Sequence, residues 1–192
     1  NGLVFIDTDN LVTRPDTTLD VLGTPGYIAP EIIRKNILKS IGGADVPDGM
    51  ISKYGRPTVD SDVFSAAVIA FQVLTLKHPF VGDIIDDGTP EDETAALNIE
   101  TDYIRKNGTD NESTSGLMPK FEEITTPEVR RLFERTFVDG KDSPAKRPTA
   151  DEFVEAFQHA IDKMVVCPNC GFSRLYDSTV INTCINCDGE LG

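Results

Sequence analysis

Four cysteines near the end of the chain have the spacing of a metal site. Cys167 and Cys170 form one Cys-x2-Cys pair, and Cys184 and Cys187 form a second, with thirteen residues between the pairs. Each pair can turn so that two thiolates face one ion, and four thiolates at about 2.3 Å suit tetrahedral zinc. Because all four ligand positions are cysteine, no position is left for water, and such a zinc ion would be structural. The alternatives are a redox or iron site, or two disulfides, although nothing else in the sequence indicates a secreted chain.

Short strands and tight turns must hold these cysteines in place. A glycine follows the second cysteine, directly in Cys-Pro-Asn-Cys-Gly and one residue later in Cys-Ile-Asn-Cys-Asp-Gly, and glycine eases such a turn. The predicted strands between the two pairs include Leu175, Tyr176, Val180 and Ile181.

A second group of candidate ligands follows the apolar run at residues 3–6. Asn1-Gly2 favours a tight hairpin turn, and the run after it suits a buried strand that ends at Asp7-Thr8-Asp9. Carboxylate oxygens are ligands that magnesium accepts. An Asp-x-Asp at the end of a strand is also common in a solvated turn, so this pattern by itself leaves both interpretations open.

The elements that position these groups are mainly helical. Residues 63–76, VFSAAVIAFQVLTL, are apolar nearly all round, which predicts a buried helix that begins after Asp60 and Ser61. No apolar run reaches the roughly 18 residues of a membrane span, and no signal peptide is visible. Proline and capping residues indicate further helices. These run from Thr89-Pro90 to about Lys106, from Thr126-Pro127 to near Gly140, and from the capping box of Thr149 and Glu152 to Met164.

The stretch at residues 23–31, GTPGYIAPE, is an ordered loop that leads into a helix. Its Gly-Thr-Pro-Gly start excludes a helix interior or a central strand, because proline lacks an amide hydrogen and glycine loosens the backbone. Pro30 suits the first position of a helix. A tract rich in glycine, proline and aspartate follows at residues 41–57 and predicts a surface loop.

Four motifs in this order resemble the C-terminal lobe of protein kinases. GTPGYIAPE resembles the end of the activation segment, and DVFSAAVIAFQVLTLKHPF resembles the large central helix with its His-Pro-Phe-like turn. Asp7 falls where the aspartate of Asp-Phe-Gly lies, and Arg147-Pro148 precedes the last helix as in kinases. The sequence departs from the family pattern at four positions: Thr8 for Phe, Asp9 for Gly, Phe64 for Trp and Ala67 for Gly.

The resemblance implies a role for several of these residues. Asp7 would bind the magnesium that bridges the ATP phosphates, and it is left open whether Asp9 adds a second oxygen ligand, which magnesium would accept. Thr24 would position the substrate. The remaining family roles are structural: Asp62 anchors the backbone of the catalytic loop, Arg147 pairs with Glu31 across 116 residues, and His78 packs in its turn without a catalytic role.

The resemblance also implies the architecture. Residues 1–164 would be a partial, mainly α kinase domain with a short remnant of a β-strand pair at its start, and residues 165–192 resemble a zinc ribbon, a small β module. The motifs best match bacterial serine/threonine kinases with Asp-Thr-Asp in place of Asp-Phe-Gly. The phosphate loop, the strand lysine and the catalytic loop are not in this sequence, so the catalytic base is expected upstream of Asn1. This fragment alone is therefore expected to be inactive.

The expected function is transfer of the ATP γ-phosphate to protein serine or threonine by the complete protein, with magnesium, ATP and a structural zinc. The alternatives are a pseudokinase scaffold and a zinc-ribbon adaptor without catalysis. The expected partners are ATP, a protein substrate and a protein that binds the zinc ribbon, in the cytoplasm. The net charge of −14 and the pI near 4.4 argue against a nucleic-acid-binding surface.

Overall fold

The computed structural model describes residues 23–34, 57–113, 121–175, 183–184 and 186–191. This part of the chain is mainly helical, as predicted, and carries one two-stranded antiparallel sheet. None of the helices within it is both long and apolar enough to cross a membrane. Several predictions lie outside the described residues: the strand at residues 3–6, the carboxylates Asp7 and Asp9, most of the surface loop, and the ribbon positions Tyr176, Val180 and Ile181.

The longest described helix, α1, spans Val59–Thr75. It begins four residues before the predicted start at Val63, because Thr58 and Ser61 form a capping box. The Thr58 hydroxyl accepts the Ser61 amide at 3.3 Å, and the Ser61 hydroxyl accepts the Thr58 amide at 2.9 Å. The helix ends where Leu76 takes a positive φ of 59°. The acidic residues expected ahead of the helix therefore lie in its first turn.

The core is built around Phe71 on α1. The centroid of its ring lies 5.3 Å from that of Phe133, 5.5 Å from that of Phe121 and 5.6 Å from that of Tyr103. These rings come from separate segments, so their burial joins α1 to the helices that follow it.

One side of α1 is exposed, which corrects the prediction of burial all round. Ile69, Val73 and Leu76 expose 52%, 72% and 81% of their surface. They are spaced four and three residues apart and therefore share one face of the helix. The opposite face carries Phe64 and Phe71, which are fully buried. We call Ile69, Val73 and Leu76 the exposed stripe.

Two short helices follow α1. These are α2 (Asp83–Asp86) and α3 (Pro90–Leu97). The α3 helix begins as predicted, after Thr89, but it ends well before Lys106. The reason is local, because Ile99 has a positive φ of 61° and cannot continue a right-handed helix.

The segment after α3 is held by the side chain of Asn111. Its amide nitrogen donates to the carbonyl of Phe80 at 2.9 Å and to the carbonyl of Asp102 at 2.8 Å. Its amide oxygen accepts the backbone N–H of Gly82 at 3.0 Å. One buried side chain thus satisfies three backbone groups and ties the segment after α3 to the segment before α2.

The next helices are α4 (Phe121–Ile124) and α5 (Pro127–Glu134). The α5 helix begins after the Thr126 cap, as predicted. It continues as a π-helical turn over Arg135–Asp139 and stops at Gly140, where the sequence predicts the end.

The last helix, α6 (Ala150–Asp162), follows a 3-10 turn at Pro144–Lys146. The predicted capping box is present, because the Glu152 amide donates to the Thr149 hydroxyl at 3.2 Å and the Thr149 amide donates to the Glu152 carboxylate at 2.7 Å. The helix ends before Met164, which was predicted to belong to it.

Met164 instead begins strand β1 (Met164–Val166), which pairs antiparallel with β2 (Ser173–Leu175). The pairing sets Met164 opposite Leu175 and Val166 opposite Ser173. Leu175 therefore lies in a strand, as predicted. The hairpin brackets the first pair of cysteines and brings the chain from α6 directly to the candidate metal site.

Candidate functional site

The four cysteine thiols lie close together, as their spacing predicts. All four sulfur atoms lie within 4.8 Å of one another, and the cysteines are free thiols. The Sγ atoms of Cys167 and Cys187 are 3.7 Å apart, and those of Cys170 and Cys184 are 3.6 Å apart. Sulfur atoms bound to one tetrahedral zinc at about 2.3 Å would be about 3.8 Å apart. The donor set and its spacing therefore fit a structural zinc ion.

The two Cys-x2-Cys turns are built in the same way. The residue four places after the first cysteine donates its amide to the carbonyl of that cysteine, at 2.9 Å for Cys167 and 2.8 Å for Cys184. The first cysteine in turn donates its own amide to the carbonyl five places on, at 2.9 Å and 2.7 Å. Each of the two equivalent turns thus contributes two thiols to the cluster of four sulfur atoms.

A left-handed residue follows the second cysteine in both turns. Gly171 has a φ of 72° and Asp188 has a φ of 55°. The prediction that glycine eases the turn thus fits the first turn alone, because aspartate occupies the equivalent position in the second. Aspartate tolerates this backbone region better than most residues, since its short side chain can hydrogen-bond locally.

Hydrogen bonds to sulfur favour the thiolate form of Cys170 but not that of Cys187. At Cys187 the backbone of Gly189 lowers the pKa, and the neighbouring thiols, Cys170 first, raise it more, to about 12. The Asn186 side chain and then the Phe172 backbone hydrogen-bond to Cys170 and lower the pKa of its thiol to about 6. The Asn186 backbone amide also donates to the sulfur of Cys184 at 3.4 Å. Thiolate is the form that binds zinc, and such outer hydrogen bonds orient the ligands.

The second candidate site is the loop at residues 23–31, which is anchored through Gly26. The Gly26 amide donates to the carbonyl of Leu97 at 2.8 Å, and its carbonyl accepts from Nε2 of His78 at 2.9 Å. The φ of Gly26 is 87°, and a Cβ there would lie 2.9 Å from Leu97 Cδ2 and 3.0 Å from His78 Nε2. Only glycine fits this close approach.

His78 is buried and packs in its turn, as predicted. Its Nδ1 accepts the amide of Phe80 at 3.3 Å, while its Nε2 donates to the loop at Gly26. This pattern assigns the neutral imidazole with its proton on Nε2. Burial lowers the pKa of His78 more than the hydrogen bond to Gly26 raises it. His78 therefore couples the loop to the turn after α1.

The predicted ion pair between Glu31 and Arg147 is present. Nη1 of Arg147 donates to Oε1 of Glu31 at 2.8 Å, and Nη2 donates to Oε2 at 2.7 Å. The Arg147 side chain is 0% exposed and that of Glu31 is 16% exposed. A parallel pair of charge-assisted bonds is the strongest geometry open to these two groups.

Arg147 also contacts two further segments. Its Nε donates to the carbonyl of Gly140 at 2.9 Å, and its Nη1 donates to the carbonyl of Asp60 at 3.0 Å. Its guanidinium carbon lies 4.9 Å from the ring centroid of Phe64. One buried side chain therefore joins the loop at residues 23–31, the first turn of α1 and the end of the π-helical turn.

Thr24 and Asp62 are both at the surface. The Thr24 carbonyl accepts the Tyr27 amide at 3.1 Å, which closes a turn over Thr-Pro-Gly-Tyr. Partial burial raises the pKa of Asp62, although the residue is exposed on α1. These observations do not test the roles predicted for Thr24 and Asp62. Asp7 lies outside the described part of the chain, so its role also stays a prediction.

Sequence reasoning missed a third anchor of the loop, Ser65. Its hydroxyl donates to the Tyr27 carbonyl at 2.7 Å and holds the loop against α1. No local pattern marks this contact, because the two residues are 38 positions apart. The available signal is only that Ser65 is a polar residue in the mainly apolar run at residues 63–76. No protein-family model matches the chain, and no curated protein matches it.

Proposed function

We propose that this chain is the C-terminal lobe of a serine/threonine protein kinase, followed by a zinc ribbon. The observation that carries the proposal is the ion pair of Glu31 and Arg147. The kinase resemblance requires the glutamate of Ala-Pro-Glu to pair with the arginine of the Arg-Pro before the last helix. An arbitrary helical fold has no reason to join these two motifs through both guanidinium nitrogens.

The docking of the loop at residues 23–31 also supports the proposal. A loop that presents a protein substrate has to be held on rigid elements. Gly26, Tyr27 and Glu31 are tied to the His78 turn, to α1 and to Arg147. Thr24 remains exposed at the start of the loop, where it can position a substrate hydroxyl.

The exposed stripe on α1 supports a larger enzyme. Ile69, Val73 and Leu76 form an apolar surface, and the exposed residues Asp62 and Ala66 precede it on the same face of α1. In the kinase lobe, Asp62 anchors the catalytic loop, so that loop and the helix before it would cover the stripe. Covering it would remove apolar surface from water, which stabilises the complete domain.

The proposed chemistry assigns few tasks to this chain. Asp7 would bind magnesium, which bridges the ATP phosphates and neutralises the charge that develops on them. Thr24 holds the acceptor side of the site, and Glu31 with Arg147 keeps the loop in position. The base that accepts the substrate proton belongs to the catalytic loop, outside this sequence. The zinc is structural and takes no part in the transfer.

Phosphoryl transfer by the complete protein tests the proposal. We expect transfer from Mg-ATP to serine or threonine peptides, loss of transfer in Asp7→Asn, and a large decrease in Thr24→Val. Arg34→Gln, which alters an exposed pair with Asp142, is the matched control and should keep full activity. Activity in Asp7→Asn would refute the magnesium assignment. A folded complete protein without any transfer would favour the pseudokinase scaffold.

A substitution in the stripe tests the lobe assignment without a substrate. Val73→Asp should leave the melting temperature of this chain nearly unchanged, because Val73 is 72% exposed, but should destabilise the complete protein. Val154→Asp on α6, at a residue 66% exposed, is the control and should be neutral in both proteins. Equal, small effects of both substitutions in the complete protein would contradict the proposal.

A second candidate function is a zinc-ribbon adaptor. Met164, Val166 and Phe172 expose 47%, 65% and 40% of their surface beside the first cysteine pair. Exposed apolar side chains on a small, metal-stabilised module suit a protein partner. Two results together would favour this function. The intact chain and residues 163–192 with zinc would capture the same protein, and the complete protein would show no phosphoryl transfer.

A further inference from the structure

The dipeptide Asn107-Gly108 lies in a tight turn that belongs to neither the cysteine cluster nor the loop at residues 23–31. The Thr109 amide donates to the Lys106 carbonyl at 3.2 Å and closes this turn. Gly108 has a φ of 72° at the third position, which is the pattern of a type II turn. Asn107 and Gly108 are both exposed. The turn therefore presents an asparagine followed by glycine to water.

The amide nitrogen of Gly108 is accessible for reaction. Within the described residues, this amide donates to no acceptor. A Cβ at Gly108 would meet nothing within 4 Å beyond its chain neighbours, so the surrounding space is open. Glycine also has no side chain of its own to shield its nitrogen. The nitrogen that follows Asn107 is therefore neither hydrogen-bonded nor crowded.

We propose that Asn107 is a site of spontaneous deamidation through a cyclic imide with Gly108. The Gly108 nitrogen loses its proton to hydroxide and forms a bond to the side-chain carbonyl carbon of Asn107, and the side-chain nitrogen leaves as ammonia. Water then opens the imide at either of its carbonyl carbons, which gives aspartate or isoaspartate. One water is consumed and one ammonia is released, without an oxidant or a reductant. The site does not depend on the proposed kinase function.

The turn can open far enough for this ring to close. Ring closure requires the backbone of Asn107 to rotate out of the turn. Among the described residues, the turn is closed by the one backbone hydrogen bond between Thr109 and Lys106, at 3.2 Å. Exposed hydrogen bonds of this kind open locally at a low cost in free energy. The folded chain therefore leaves the reaction open to Asn107.

Isoaspartate at position 107 would disturb the hydrogen bonds of Asn111, because it lengthens the backbone by one methylene group. Thr109 is 7% exposed, and its hydroxyl accepts the Asn111 amide at 3.0 Å. The side-chain oxygen of Asn111 accepts the Gly82 amide at 3.0 Å. A longer backbone next to Gly108 would displace Thr109 and loosen the bond between Asn111 and Gly82. Aspartate carries the same charge but keeps the ordinary backbone, so it would leave this bond intact.

Incubation of the zinc-loaded chain in mildly alkaline buffer, followed by peptide mapping, tests the reaction. Asn107 should lose ammonia at least about tenfold faster than two other asparagines, because neither of them precedes a glycine. These are Asn111, which is buried and precedes Glu112, and Asn169, which is exposed and precedes Cys170. The rate at Asn107 should rise with pH, since the attacking nitrogen must lose its proton. Equal rates at Asn107 and Asn169 would overturn the site.

The isoaspartate product is quantified by enzymatic methylation. Asn107→Gln should remove the product of this site, because the longer side chain closes a larger ring with Gly108. The variant also separates this product from that of Asn1-Gly2, the other Asn-Gly in the chain. An unchanged isoaspartate yield in Asn107→Gln would overturn the site.

Amide hydrogen exchange at Gly82 tests the coupling. In the purified isoaspartate form, this amide should exchange at least about fivefold faster than in the fresh chain, because its hydrogen bond to Asn111 is loosened. Asn107→Asp should keep the rate of the fresh chain. The Gly171 amide, which donates to the Cys167 carbonyl at 2.9 Å, should be unchanged in every form. The same Gly82 rate in the isoaspartate form and in Asn107→Asp would overturn the coupling.

Discussion

Glu31 and Arg147 are 116 residues apart in sequence and meet through two parallel hydrogen bonds of 2.8 Å and 2.7 Å. The arginine is fully buried, so removal of the carboxylate would leave an uncompensated charge in the interior. The pair is therefore a structural support of the loop at residues 23–31, whatever that loop presents.

Loss of this carboxylate should be strongly destabilising. We expect Glu31→Ala to lower the free energy of unfolding by about 3–5 kcal/mol, measured by urea denaturation. The control is Asp142→Ala, which breaks the exposed pair with Arg34 and should cost about 0–1 kcal/mol. Equal costs for the two variants would show that the buried pair contributes no more than a surface pair.

Zinc should be present at one ion per chain, measured by elemental analysis after dialysis. The apolar core around the site is small, formed by Cys167, Cys184, Leu191 and the half-buried Val165. The metal should therefore supply most of the local stability. A strong chelator should loosen residues 164–175 and 186–191 and leave the helical core folded, as followed by amide hydrogen exchange. A chain without zinc and with two disulfides would refute the assignment.

The left-handed turn after the first cysteine pair should depend on glycine. Gly171 and Gly108 both have a φ of 72°, and a Cβ at either position would meet nothing within 4 Å. Alanine at each should cost about 1–2 kcal/mol of backbone strain. Only Gly171→Ala should also weaken zinc binding, by roughly tenfold in a competition assay. A similar loss of zinc affinity in Gly108→Ala would contradict this account.

The stability of the chain should depend on the protonation of His78. Because burial lowers its pKa below 6.5, the unfolded chain binds a proton at higher pH than the folded chain does. The contribution is fully present above pH 6.5 and is lost as the pH falls through 6.5 towards the folded pKa. The free energy of unfolding should fall by up to about 1.4 kcal/mol per pH unit in that window.

Two variants isolate this contribution. His78→Gln keeps a donor for the Gly26 carbonyl but cannot titrate, so its stability should depend less on pH between 7 and 5. The other histidine in the chain, His159, is exposed on α6, and His159→Gln should keep the wild-type slope. If both variants show the same pH dependence as the wild type, His78 does not carry the effect.

Several features could be predicted because their signals are local. The spacing of Cys167, Cys170, Cys184 and Cys187 brings the thiols together, since each pair forms its own turn. The capping box of Thr149 sets the start of α6, since its partners are three residues apart. The pair of Glu31 and Arg147 is the long-range exception, and it came from a family resemblance and not from a local rule.

Helix extents were less predictable because neighbouring residues compete for the same backbone. The sequence predicted that α1 begins after Asp60 and Ser61, but the capping box of Thr58 and Ser61 starts it earlier. The sequence also predicted that α3 runs to Lys106, but the left-handed backbone of Ile99 prevents the helix from continuing. In each case, a change of one or two residues in where a cap or a turn forms decides where the helix begins or ends.

By itself, the sequence determined the cysteine cluster, the helix caps and the mainly helical class, because those depend on residues within a few positions of one another. Only the tertiary structure decided that Gly26 fits against His78, that one face of α1 stays exposed, and that Ser65 holds the loop at Tyr27. Such contacts join distant segments, and they follow from how the helices pack together and not from any local pattern.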